Sequence, residues 1–120
     1  MDKEIKIFDS EKTLHVLREI EQNPKITQRD LAKKLEISLG KINFLIKALF
    51  NKGLIEIRNF KNSKNKLAYS YLLTPHGLKT KLQLSHKFFS WKTQEYEKLK
   101  EEIEFLKKEV AFAPEQKENI

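Results

Sequence analysis

Asn43, Phe44 and Lys47, with Gly40 and Lys41 a turn earlier and Ser38 just before them, share one side of the stretch SLGKINFLIKALFNKGL, residues 38–54. An asparagine can pair through two bonds with adenine, a lysine can reach guanine or a phosphate, and a phenyl ring can touch a thymine methyl. Ser38, at the start of a helix, adds a hydroxyl and exposed amides that suit a phosphate. Gly40 removes a side chain where that helix would come closest to a duplex. No acid interrupts this side, whereas an ordinary solvated helix face carries Glu and Lys paired four residues apart. The chemistry on offer is recognition of a polyanion. Asn43 and Phe44 also admit a plainer reading, as residues that pack on a neighbouring hairpin or subunit.

Reactive chemistry has no comparable footing. His15, His76 and His86 are scattered, no His/Glu spacing suits a metal, and the three glycines form no phosphate-cradling loop. Absence of cysteine excludes a disulfide scaffold, a thiolate zinc site and a cysteine nucleophile. The chain is therefore expected to be neither an enzyme nor the carrier of a cofactor or metal.

The side chains of residues 38–51 need a helix held firmly from behind. Ile42, Leu45, Ile46 and Leu49 supply that anchor, because their spacing of three and four places them on one buried stripe. Upstream, Phe8-Asp9-Ser10 offers a hydrophobic residue and a cap before a first helix whose stripe is Leu14, Leu17 and Ile20. Asn23 before Pro24 ends that helix. Thr27-Gln28-Arg29-Asp30 has the spacing of a capping box and opens a short second helix with Leu31, Ala32 and Leu35 on its buried side. Glu36 and Ile37 make a tight connection to the helix capped by Ser38. Two helices at this spacing form a helix-turn-helix, although any pair of amphipathic helices shares much of the pattern.

The residues that follow separate the two readings. Gly53 suits the left-handed turn beyond a helix end. Leu54–Arg58 and Leu67–Leu73 then alternate with period two and favour β-branched and aromatic residues, with NFKNSKNK between them as a polar, basic loop. Two strands around a basic loop after a helix-turn-helix make a winged helix. On the wing, Arg58, Lys61, Lys64 and Lys66 are placed to meet phosphate or an adjacent minor groove, and Asn62 adds hydrogen-bonding capacity.

Thr74 and Pro75 start a last long helix, in which Gly77 falls in the first turn, where it does least harm. Leu78, Leu82, Ser85, Phe89, Lys92, Tyr96, Leu99, Ile103, Leu106 and Val110 recur at alternating four and three, a heptad seam about 50 Å long. With Leu99 and Leu106 at d, Ile103 and Val110 fall at a, the combination that favours two parallel strands. Glu95 and Glu102 at g would then face Lys100 and Lys107 at e of a partner. Dimerisation is accordingly assigned to Leu82, Phe89, Tyr96, Leu99, Ile103, Leu106 and Val110. Leu84, Phe88 and Trp91 form a side face that either packs on the winged domain or widens the dimer core. The seam has an alternative too, a single helix folded onto its own body.

The fold expected is mainly α with a small β-hairpin: a winged helix-turn-helix over residues 1–74, a long dimerisation helix over 75–112 forming a parallel coiled coil, and a frayed tail at 113–120. The net charge of +7 is unevenly spread. Residues 38–66 hold seven bases against one acid, and residues 93–120 five bases against eight acids. The first stretch attracts polyanions and the second does not. The N-terminal residues lack the apolar run of a signal peptide, and no stretch approaches the roughly 20 apolar residues of a membrane span. A cytoplasmic protein, nucleoid-associated when bound to DNA, is expected, with no membrane partner.

The stretch ITQRDLAKKLEISLGKINFLIKALFNKGLIEIRNF, with the wing and LLTPHGL after it, resembles the MarR-type winged-helix transcriptional regulators, and most of all their short branch associated with exopolysaccharide gene clusters in bacteria. The likeness covers about residues 10 to 80. It implies a homodimeric, sequence-specific regulator that binds double-stranded DNA with its third helix and wing and controls exopolysaccharide genes. Larger members bind small phenolic effectors between their DNA-binding and dimerisation parts; this chain is short there, which leaves an effector open. Two other readings stay open beside it, a non-specific architectural DNA-binding protein and a protein-interaction module that docks a partner on the third helix.

Overall fold

The computed structural model describes residues 10–112, so the hydrophobic lead-in at Phe8-Asp9 and the tail at 113–120 lie outside the described residues. These residues form α1 (Glu11–Gln22), α2 (Gln28–Leu35), α3 (Leu39–Asn51), β1 (Ile55–Lys61), β2 (Leu67–Leu73) and α4 (Pro75–Phe112). Helices α1 to α3 with the antiparallel hairpin are a winged helix-turn-helix, and the long α4 follows it.

The first three helices begin where a hydroxyl satisfies a backbone amide that the helix itself leaves unpaired. Oγ of Ser10 accepts from the Thr13 amide at 3.1 Å, the Thr27 hydroxyl from Asp30 at 3.0 Å, and Oγ of Ser38 from Lys41 at 3.1 Å. Each such cap stabilises its helix by about 1 kcal/mol. Between α2 and α3 the chain turns at Glu36, which takes a left-handed conformation with φ of 55°, and the Ile37 amide bonds back to the Ala32 carbonyl at 3.0 Å. That tight corner sets α3 across α2.

α3 ends in a double closure. Gly53, with φ of 72°, lets its own amide reach the Phe50 carbonyl at 3.0 Å while the Leu54 amide reaches Leu49 at 2.9 Å. Leu54 then turns the chain into β1 and is itself buried. In the hairpin Ile55 pairs with Leu73 and Lys61 with Leu67. β1 is thus longer than the alternation suggested: Asn59, Phe60 and Lys61, expected in the loop, are strand residues because Tyr69, Ala68 and Leu67 lie opposite and complete their ladder. The connection shrinks to Asn62–Lys66.

The chain divides between His86 and Lys87 into two compact units. The core of the first is built from Leu14, Val16, Leu17 and Ile20 of α1, Leu31 of α2 and Ile42, Leu45, Ile46 and Leu49 of α3, closed by Leu54, Ile55, Tyr71 and Leu84, all at most 4% exposed. Surface pairs Glu19–Lys34, at 2.7 Å, and Glu21–Lys81 tie α1 to α2 and to the start of α4. The backbone of the α1–α2 connection joins the hairpin as well, through the Tyr71 amide and the Pro24 carbonyl at 2.8 Å.

Thr74 closes the base of the hairpin and opens α4 at once. Its amide bonds to the Leu54 carbonyl at 3.1 Å, its hydroxyl donates to the Gly53 carbonyl at 2.5 Å, and that same hydroxyl accepts from the Gly77 amide at 3.0 Å. In the second unit the ring of Phe88 meets Trp91 edge-on, with centroids 5.3 Å apart. Farther along, Leu99, Ile103, Leu106 and Val110 are between 43% and 56% exposed, an apolar row with nothing over it in the single chain. No helix among the described residues is long and apolar enough to cross a membrane.

Candidate nucleic-acid interface

α3 presents what its sequence pattern requires. With Ile42, Leu45, Ile46 and Leu49 buried, Ser38, Gly40, Lys41, Phe44 and Lys47 stand exposed on the other side, Phe44 at 54%. The Ser38 oxygen accepts from Lys41, and its proton remains able to donate to a phosphate. A methyl at Gly40 would meet nothing within 4 Å, so the first turn offers a bare backbone to whatever approaches.

Asn43 departs from the expectation of a freely outward side chain. It is half-buried, and its Nδ2 donates to Oε1 of Gln28 at 3.2 Å. Gln28 in turn donates through Nε2 to the Tyr71 hydroxyl at 3.3 Å. A chain of three polar side chains therefore links α3, α2 and β2. Asn43 keeps Oδ1 and its second N–H for another partner.

Beside this chain, α2, α3 and β2 enclose an open groove of about 780 Å³. Its floor includes the buried Ile26 and Tyr71, its rim the exposed Leu39, Leu67 and Tyr69, and its lining contains Lys25 and Arg29 but no acid. Reading residue types along the sequence did not single out Gln28, Tyr71, Lys25 or Arg29. Their assembly depends on positions 15 and 43 residues apart, which no local period reports.

The wing is built around Asn62. Its Oδ1 accepts from the amides of Lys64 at 2.9 Å and Lys66 at 3.1 Å, its own amide reaches the Lys66 carbonyl at 2.9 Å, and its carbonyl accepts from Asn65 at 2.9 Å. Asn65 closes the turn in a left-handed conformation with φ of 61°, which asparagine tolerates. Asn62 thus shapes the tip with its oxygen and has only its amide hydrogens for a ligand. Lys61, Lys64 and Lys66 are exposed around it. Arg58 lies on the same face as Glu56, with Nη2 and Oε2 3.2 Å apart, an exposed pair of small energetic weight. At the root of the wing the Lys25 ammonium sits 4.9 Å from the centre of the Phe60 ring, joining the α1–α2 connection to β1.

Elsewhere, His15 pairs with Glu11 at 3.6 Å, and among the described residues no group of three His, Asp or Glu side chains is placed to hold a metal. The exposed face of α3 and the lining of the groove carry no acid, and among the hairpin residues 55–73 the one acid is Glu56.

Residues 9–56 match the family described as winged helix-turn-helix DNA-binding. No curated protein matches the chain. Among solved structures, the PadR-like transcriptional regulator BC4206 from Bacillus cereus superposes with a TM-score of 0.66 at 22% identity, over 72% of this chain and 89% of that one. The MarR family transcription regulator SP03579 gives 0.59 at 19% identity, over 73% of this chain and 57% of that one. MepR of S. aureus, in a complex with DNA, gives 0.59 at 23% identity, over 78% of this chain and 67% of that one. The chain thus spans little more than half the length of the MarR family protein. Matched segment and structural neighbours agree with the geometry: the chain has the winged helix-turn-helix fold of MarR- and PadR-type transcription regulators.

Proposed function

We propose that the protein is a sequence-specific transcriptional regulator that binds double-stranded DNA as a homodimer, with α3 in the major groove and the wing on phosphate or the adjacent minor groove. The observation that carries this reading is the exposed side of α3. Four apolar residues fix the helix from behind, Gly40, Lys41, Phe44 and Lys47 face out with the half-buried Asn43 at their edge, and no acid is among them. In helix-turn-helix proteins the N-terminal part of this helix enters the major groove. Ser38 and the wing bases Arg58, Lys61, Lys64 and Lys66 serve phosphates, which set affinity and register, while Asn43, Lys47 and Phe44 supply the contacts that distinguish bases. Asn62 acts by holding the wing tip in shape.

A second copy supplies the cover for the apolar row of α4. Ile103, Leu106, Lys107 and Val110 line one shallow hollow of about 370 Å³, the a, d, e and a positions that receive a d-position leucine from a parallel partner. The same register sets Glu95 against Lys100 and Glu102 against Lys107 across the dimer. The resemblance to the exopolysaccharide-associated branch supports exopolysaccharide genes as the regulated targets.

Selection of bound duplexes from a random pool at about 150 mM salt, where non-specific attraction is screened, tests this function. Enrichment of an inverted repeat with half-sites about one helical turn apart is the expected result. Binding without enrichment would instead identify an architectural DNA-binding protein, and no binding would move α3 to a protein partner.

A further inference from the structure

The orientation of the Asn43 amide is coupled to that of Gln28. One amide hydrogen is committed to Oε1 of Gln28, and Gln28 is held at its other end by the Tyr71 hydroxyl. Both amides could in principle be turned over together. In that reversed sense Nε2 of Gln28 would donate to Oδ1 of Asn43, and Asn43 would offer only two N–H donors outward.

The two senses suit different bases. Adenine presents an acceptor, N7, beside a donor, the N6 amino group, and so needs an amide that offers N–H and C=O together. Guanine presents two acceptors, N7 and O6, and suits two donors. The observed sense leaves Asn43 with Oδ1 and one N–H, the adenine pattern. We infer that Gln28, a residue of α2, is the specificity-determining partner of Asn43: by accepting from Asn43 it makes this position of the half-site adenine, and Tyr71 acts as the positioning residue that holds Gln28 in reach.

The arrangement is suited to this task. Gln28 lies in the first turn of α2, half-buried at the wall of the groove, and Tyr71 is 4% exposed and pinned through its backbone to Pro24. The buried anchor holds Gln28 in place, and Gln28 in turn positions the Asn43 amide at the surface. Reading by two bonds distinguishes a base from its competitors by roughly tenfold or more, but only while the amide is held in one sense.

This inference rests on the proposed base-reading by Asn43, and the test separates the two. Duplex selection from a random pool is run on the full chain, Asn43→Ala, Gln28→Glu, Gln28→Lys and Tyr71→Phe. Glutamate at 28 can only accept and locks the observed sense; lysine can only donate and forces Oδ1 of Asn43 inward. Added charge alters affinity for all duplexes alike, so the readout is the ratio of bases at one position and not the strength of binding. The expected result is an adenine preference kept in Gln28→Glu, lost by about tenfold in Gln28→Lys with guanine rising, and weakened in Tyr71→Phe. Any other pattern for the two Gln28 variants overturns the inference while base-reading by Asn43 stands. A parent chain with no adenine preference, or one that Asn43→Ala leaves intact, overturns the base-reading itself.

Discussion

The Cα of Gly77 lies so close to the Leu54 carbonyl that a Cβ added there would stand 1.9 Å from its oxygen. The glycine in the first turn of α4 is therefore needed at a contact between backbone and backbone, where no side chain can move aside. By helix propensity alone it would pass as a tolerated weakness. The buried position and the neighbouring bonds of Thr74 show that this turn is seated on the end of α3.

Gly77→Ala is accordingly expected to destabilise the fold by about 2–3 kcal/mol, despite alanine's better helix propensity. Urea denaturation of the parent and the variant measures it. A variant as stable as the parent would show that the two backbones separate without cost.

Gly40→Ala should act in the opposite sense on stability. Its methyl meets nothing within 4 Å, so the fold gains about 0.5–1 kcal/mol from the restricted unfolded chain and better helix propensity. Affinity for the selected duplex should fall by about tenfold, or about 1.4 kcal/mol, because the methyl occupies the space of closest approach. Denaturation and a binding titration on the same preparation would separate these effects; unchanged affinity would mean that DNA does not come close at Gly40.

Lys64→Ala removes a charge from the wing tip without touching the bonds that shape it, since only the Lys64 backbone amide bonds to Asn62. Binding should weaken equally on matched and scrambled duplexes, and the slope of log affinity against log salt should fall by about 1. An effect confined to the matched duplex would assign Lys64 to base reading.

Leu99→Lys combined with Leu106→Lys places charge in the centre of the exposed row of α4. Light scattering should then report 14.3 kDa instead of twice that mass. Circular dichroism should keep the helices and hairpin of the first unit, whose core contains neither residue. A mass that does not change would remove this face as the dimer interface.

What was legible in the sequence was local. Ser10, Thr27 and Ser38 cap the helices they were expected to cap, because a hydroxyl and an amide three residues later need no distant partner. The buried stripe of α3 and the left-handed Gly53 follow from the same short-range rules. Asn59–Lys61 escaped because strand length is decided by the opposite strand. Gln28 and Tyr71 escaped for a related reason: a glutamine in a first turn and a tyrosine in an alternating strand have no period that points to Asn43. The role of Gly77 was hidden in the same way, since its constraint is the carbonyl of a residue 23 positions earlier.

The hairpin is sealed at its base. Leu54 and Gly53 on one side and Thr74 on the other share two hydrogen bonds, and the Leu54 amide is already spent on the end of α3. Residues added near that base would pull apart the end of one helix and the beginning of the next. The tip, Asn62–Lys66, carries no such double duty, and its side chains are exposed. Length can therefore change there with the least disturbance to the end of α3 and the start of α4, which leaves the reach of the hairpin from its base free to vary, by about 3.3 Å for each pair of residues inserted.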